Sequence, residues 1–227
     1  MDNLIIDNNL TVKKQLSLSL PMAFEQLVNI FMTLIDTLVV GLLGTYEVAC
    51  VGAMATILNI LFILPNTIMT SNNVIIANYL GSKEKIKIKY TLGNSIIFGL
   101  VVGFLFSLIV IFISPVIPKM FNLKQSCIVY LFIRLIGYLP LIINDILSGF
   151  ERTKGNPKFI LKCKIIFLGL NFILDLLMIK LNYGIVGVAL VTVFLDITFM
   201  IVLLLRNKTN IIFKYKKDIF SNIIYYI

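Results

Sequence analysis

Six long apolar runs, separated by short polar segments, constrain this 227-residue chain more than any other feature. Each run has the roughly 20 residues that an α-helix rising about 1.5 Å per residue needs to cross a bilayer. Hydrocarbon offers no water to an open backbone, so each run must satisfy its own hydrogen bonds as a helix. The spans read from the sequence are about 16–43, 51–79, 90–113, 127–150, 159–181 and 185–205. The chain is 59% hydrophobic and 14% charged, with a mean hydropathy of +0.99; a soluble domain holds only about 45–50% apolar residues. The expected fold class is an all-α integral membrane bundle of six transmembrane helices over 16–205, preceded by a polar arm at 1–15 and followed by a polar tail at 206–227. No signal peptide is expected, because residues 1–11 hold Asp2 and Asp7 and no basic residue, and the first apolar run is too long for an h-region.

The net charge of +9 could suggest a nucleic-acid partner, but the basic residues sit between spans and not on one soluble face, so none is expected. With a cytoplasmic N-terminus, the inside segments hold Lys13, Lys14, Lys83, Lys85, Lys87, Lys89, Arg152, Lys154, Lys158, Lys162, Lys164, Arg206, Lys208, Lys214, Lys216 and Lys217. The outside segments hold only Lys119, Lys124 and Lys180. That asymmetry predicts both termini in the cytoplasm. Cys50, Cys127 and Cys163 show no CxxC spacing and the chain has no histidine, so neither a disulfide framework nor a zinc site is expected. An enzyme is disfavoured as well: there is no Asp-rich metal motif and no serine or cysteine beside a base.

Prolines mark where the helices could bend. Pro21, Pro65 and Pro140 fall inside spans, where the ring removes a backbone hydrogen bond, and a kink or local unwinding is expected at Pro65. Pro115 and Pro118 break the chain before the fourth span. Gly93, Gly99 and Gly103 give the third span a small-residue face for close helix approach. In the loop Glu151-Arg-Thr-Lys-Gly-Asn-Pro157, Gly155 suits a helix end, Asn156 a cap and Pro157 the first turn of the next helix. Lys162 and Lys164 should snorkel towards headgroups, and Asn182-Tyr-Gly184 should form a tight turn.

Carboxylates inside apolar spans are the functional signal, because each costs at least roughly 3 kcal/mol at the centre of a helix in lipid. Asn171-Phe-Ile-Leu-Asp175 places an amide and an acid one turn apart on one face of the fifth span. Counting the helix rise from the outer ends puts Asp36 about 10 Å deep, Asp175 about 8 Å and Thr192 about 12 Å, with Asn171 one turn below Asp175. Four oxygen-bearing side chains on three helices therefore share the outer half, a set suited to a proton relay or a hard cation such as sodium. Asn171 could equally be interhelical glue, and Thr192 alone reads better as ordinary packing. Asp196, nearer mid-membrane, is a reserve candidate, and Arg134 could neutralise one of the acids. Glu25 and Asp145 lie towards the inner side and read as structural or interfacial.

Pro21, Asp36-Thr-Leu-Val-Val-Gly-Leu-Leu-Gly44 and Val51-Gly52 resemble the first-helix region of the multidrug and toxic compound extrusion (MATE) transporters. Phe150-Glu-Arg-Thr-Lys-Gly-Asn-Pro-Lys158 is similar to that family's loop after its fourth helix. Asn171-Phe-Ile-Leu-Asp175 with Gly184-Ile-Val-Gly-Val-Ala-Leu-Val-Thr192 resembles helices five and six of its DinF-like prokaryotic branch. The resemblance implies export of amphipathic, often cationic small molecules from a bacterial or archaeal cell across the cytoplasmic membrane, driven by inward protons or sodium ions and needing no other cofactor. It also implies a cation site at Asp36, Asn171, Asp175 and Thr192, with sodium one candidate occupant of the first three.

Members of that family carry about twelve helices in two six-helix lobes. This chain is thus expected to be one lobe: a truncated or split product, an excerpted half, or a unit that pairs with a second six-helix lobe. Residues 221–227 would begin a seventh helix. Two rival readings are a lipid-linked oligosaccharide flippase of the same superfamily, which Arg134 as the sole arginine within a span disfavours, and an inactive fragment or partner subunit.

Overall fold

A computed structural model describes residues 8–116, 125–214 and 223. It contains α1 (Asn8–Gly41), α2 (Thr45–Gly81), α3 (Lys85–Ile113), α4 (Gln125–Thr153), α5 (Pro157–Lys180) and α6 (Gly184–Asn207), followed by a short 3₁₀ turn, Lys208–Asn210. Five of these, all but α5, are apolar and long enough to cross a membrane on length and composition alone. The remaining helix, α5, has 24 residues and so the length to span, but Lys162, Lys164 and Asp175 interrupt its apolar stretch. Pro118, Lys119, Lys124 and, apart from Ile223, the segment 221–227 lie outside the described residues.

Helix ends largely follow local chemistry. Gly155 adopts φ 94°, a left-handed conformation open to a residue without a side chain, and stops α4. Pro157 then occupies the first turn of α5, where its missing N–H has no helical partner to lose. Asn156 precedes α5 as expected, yet its side chain does not cap the helix: the amide nitrogen donates to Glu151 Oε2 at 3.2 Å. A buried carboxylate nearby is the stronger acceptor. α1 begins well before the expected span and runs without a break through Pro21.

α2 is likewise continuous through position 65, so no unwound segment interrupts it. Proline at 65 cannot donate to the carbonyl one turn back, that of Leu61. The hydroxyl of Tyr138 on α4 donates to that carbonyl instead, at 2.7 Å. A break in one helix is thus satisfied by its neighbour, as membrane proteins require where water is absent.

α4 is the hub and packs against α2, α3 and α6, whereas α1 packs chiefly on α5. Leu131, Tyr138, Ile142, Ile146 and Leu147 of α4 are fully buried, together with Met54, Ile76, Leu92, Ile96, Ile160 and Leu203 from the surrounding helices. Lipid tails are as apolar as leucine, so close packing and not water exclusion holds such helices together. The glycine face of α3 serves that end, because a side chain at Gly99 or Gly103 would run into Ile142. Large apolar side chains such as Leu38, Phe112 and Ile173 remain exposed on the outside of the bundle, as a lipid-facing surface requires.

The expectation about the cysteines is overturned as well. Cys50 and Cys127 are joined in a disulfide, with their Cα atoms 5.7 Å apart. They are separated by 77 positions, so spacing carried no hint that the first turns of α2 and α4 would meet. After α6 the chain folds back to the start of α3, where the Ile212 amide donates to the Lys89 carbonyl at 3.1 Å. Arg206 meets Glu151 at 3.2 Å and covers the Phe159 ring. The basic loops and the end of α6 therefore share one end of the bundle.

Candidate functional site

Towards the opposite end, a cavity of about 210 Å³ opens between α1, α2, α4 and α6. α1 supplies Thr33, Asp36 and Thr37, α2 supplies Asn59, and α4 supplies Tyr130 and Arg134. Asp36 faces the space because i and i+3 or i+4 positions share a helix side, which aligns it with Thr33, Thr37 and Val40. The two threonine hydroxyls donate to carbonyls one turn back, Thr33 to Asn29 and Thr37 to Thr33, leaving their oxygens free to accept.

Asn171 and Asp175 of α5 are both fully buried and do not line that cavity; Asp175 sits against Asp36 of α1, with Asn171 one turn away. The Asp175 carboxyl faces that of Asp36 on one side and the Asn171 amide on the other. Among the described residues, neither Asp175 oxygen, neither polar atom of the Asn171 amide, nor Asp36 Oδ1 makes a hydrogen bond of ordinary geometry, although the two carboxyls and the amide lie close enough to interact. Buried polar atoms are ordinarily satisfied, and a cluster of orphans calls for a missing proton, ion or water.

Arg134 is the nearest positive charge and acts on Asp36, Asp175 and Asp196 together. Its Nη1 lies 4.0 Å from Asp196 Oδ2, too far for a hydrogen bond, and Nε and Nη1 are themselves unpartnered. The guanidinium is held between the acids without closing on any of them. Asp196 is anchored elsewhere, its main-chain carbonyl accepting from Asn144 Nδ2 at 2.9 Å.

Of the residues expected at a cation site, Asp36, Asn171 and Asp175 are thus brought together, with Arg134 beside them and Asp196 behind it. Thr192, like Asn171 and Asp175, is outside the cavity lining, and its hydroxyl donates to Val188 of its own helix at 3.0 Å. Tyr130 and Asn59 line the cavity without having been singled out from sequence. Tyr130 sits one turn from Arg134, a visible spacing, but a tyrosine in an apolar span is too common to stand out. Lys164 departs from expectation: it turns inward over the Phe199 ring, 5.5 Å from its centroid, and does not snorkel, whereas Lys162 is exposed.

Known proteins resemble this chain throughout the six helices. "Probable multidrug resistance protein NorM" of Chromobacterium violaceum is 24% identical over 171 residues, covering 74% of this chain and 37% of the relative. "Multidrug export protein MepA" of Staphylococcus saprophyticus subsp. saprophyticus is 26% identical over 209 residues, covering 88% of this chain and 46% of the relative. Among solved structures, the Vibrio cholerae MATE transporter VcmN in its bent form superposes with a TM-score of 0.84 at 16% identity, covering 93% of this chain and 51% of that one. The chain therefore spans less than half the length of these two sequence relatives and about half of that structure. Residues 21–177, well over half of the chain and reaching from the Pro21 region of α1 through both Asn171 and Asp175, match the MatE family, and with the fold in agreement the chain belongs to that family of membrane transporters.

Proposed function

We propose that this chain is the N-terminal lobe of a cation-coupled multidrug exporter, and that Asp36, Asn171 and Asp175 hold the coupling ion, a proton or sodium. The observation that carries the reading is the pairing of the buried Asp175 carboxyl of α5 with that of Asp36, which lines the cavity from α1. Two facing carboxylates repel, and a proton shared between them or a monovalent cation among them relieves that repulsion. The names of the two sequence relatives, a probable multidrug resistance protein and a multidrug export protein, support export of drugs as the work that the ion drives.

In this reading the basic end faces the cytoplasm, and the carboxylates lie towards the outside, where the driving ion enters. Ion binding would change the charge between α1 and α5 and so favour one packing of α1 over another, by no more than the ion's difference in affinity for the two states. A second six-helix lobe would close the drug-binding cleft. Amphipathic cations would be the substrates.

Proteoliposomes with imposed proton or sodium gradients, holding this lobe with and without a second lobe, test the proposal. Gradient-driven drug uptake in the paired sample is expected, and Asp36→Asn should abolish it while the protein still inserts. Undiminished transport by Asp36→Asn would defeat the assignment.

A further inference from the structure

Towards the basic end lies a second cavity, also about 210 Å³, between α1, α2, α4 and α5. Its charged lining is Glu25 from α1, Asp145 and Arg152 from α4, and Lys164 from α5, while α2 contributes the neutral Asn66 and Met69. Asp145 is eight residues before the end of α4 and Lys164 seven after the start of α5, so both lie about 10–12 Å in from that end. These groups are well inside the bundle.

Only half of the charge is locked. Arg152 Nη1 donates to Glu25 Oε1 at 3.1 Å, and its Nη2 rests on Met69 Sδ at 3.1 Å. Glu25 is only 2% exposed, yet its second oxygen, Oε2, has no partner among the described residues. Asp145 and Lys164 act on each other electrostatically, but among the described residues no ion pair joins them. A structural latch would have closed both pairs. An orphan carboxylate oxygen at this depth is costly unless water reaches it, and the cavity has room for several waters at about 30 Å³ each.

Charge balance selects what such a space can carry. Two acids and two bases cancel, so no net negative charge is left to strip water from a metal cation, which needs oxygen ligands in surplus. A proton needs only a carboxyl and a chain of waters. The groups within electrostatic reach of Asp145 are Glu25 on α1, Arg152 on its own helix, Lys164 on α5 and Asp196 on α6, with Tyr138 further along α4. Asp196 also lies beside Arg134, at the edge of the outer cavity. It therefore lies within electrostatic reach of charged groups that line each of the two spaces.

We infer that the second cavity is a water-filled proton-transfer site on the cytoplasmic side, with Asp145 as the carboxyl that accepts and returns the proton. A water of the chain gives its proton to the Asp145 carboxylate and is reprotonated from an acid nearer the outer cavity. The Asp145 carboxylic acid then gives its proton to cytoplasmic water. The Lys164 ammonium offsets the carboxylate charge, and the Glu25–Arg152 pair forms a fixed wall. This inference rests on the proposed orientation and on the outer acids as the source of protons.

Two measurements on the full chain in lipid test it. Ser148→Cys and Asn29→Cys, each with Cys163→Ser, place a thiol on the cavity lining; a membrane-impermeant thiol reagent should modify both several-fold faster from the cytoplasmic side than from the other. Failure of both to react from the cytoplasmic side overturns the proposal. In infrared difference spectra between high and low pH, one protonated-carboxyl band should exchange rapidly in D₂O, vanish in Asp145→Asn and persist in Asp36→Asn. If Asp145→Asn leaves every such band in place, the site is not the one described. Bands that respond to Asp145→Asn but never to Asp36→Asn or Asp175→Asn would support this cavity and count against the outer ion site, so the two readings fail separately.

Discussion

The two cavities have the same volume and share α1, α2 and α4 as walls, yet their charges are arranged oppositely. At the outer one Asp36 of the lining meets Asp175 of α5, and a single arginine, Arg134, acts on both. In the inner one acids and bases are matched in number, and the Glu25–Arg152 pair is closed at 3.1 Å. Like charges held together store repulsion that an arriving cation relieves, whereas matched charges set a neutral, hydrated path. The contrast separates a place where an ion can bind from one that a proton can pass.

The largest expected effect breaks the contrast at its outer member. Asp175→Asn removes one of the facing carboxylates, and gradient-driven export by a two-lobe transporter should fall to background, as measured by drug uptake into proteoliposomes. Next, Arg152→Met strands the Glu25 charge in the inner wall and should lower stability by about 3–5 kcal/mol, whereas the Glu25→Leu, Arg152→Met double variant should recover most of that loss. Thermal unfolding in detergent checks both; equal losses in the single and double variants would show that the pair is not the inner wall's main constraint.

A third variant tests the shared wall. Gly99→Leu pushes α3 off Ile142 of α4 and should cost about 1–3 kcal/mol of stability. Tyr138→Phe leaves the Leu61 carbonyl unsatisfied between the cavities, a loss of about 1–2 kcal/mol in the same measurement. The smallest effect is expected from Thr192→Val, whose lost hydroxyl serves only its own helix. Ion affinity by calorimetry should change by no more than about 0.5 kcal/mol. A larger change would return Thr192 to the outer site.

Much of this was legible before folding. Hydropathy and length located each helix to within a few residues apart from the early start of α1 and α2, because the need to satisfy the backbone in lipid acts along the chain itself. Helix rise suggested similar heights for Asp36 and Asp175, with Asn171 one turn below, and Asp175 lies beside both Asp36 and Asn171. What failed were inferences about direction around a helix axis. Lys164 was expected to reach for headgroups but lines the inner cavity and lies over the Phe199 ring.

The sequence by itself determined that the chain is a membrane bundle, how many long helices its described residues form and roughly where each ends, since those properties follow from local apolarity and a constant rise per residue. Tertiary structure alone decided which side chains meet. The Cys50–Cys127 bond, the Tyr138 hydroxyl on the Leu61 carbonyl and the division of charge between two cavities all join residues from different helices. How each helix is rotated about its axis is set by packing against its neighbours, and no local signal encodes it.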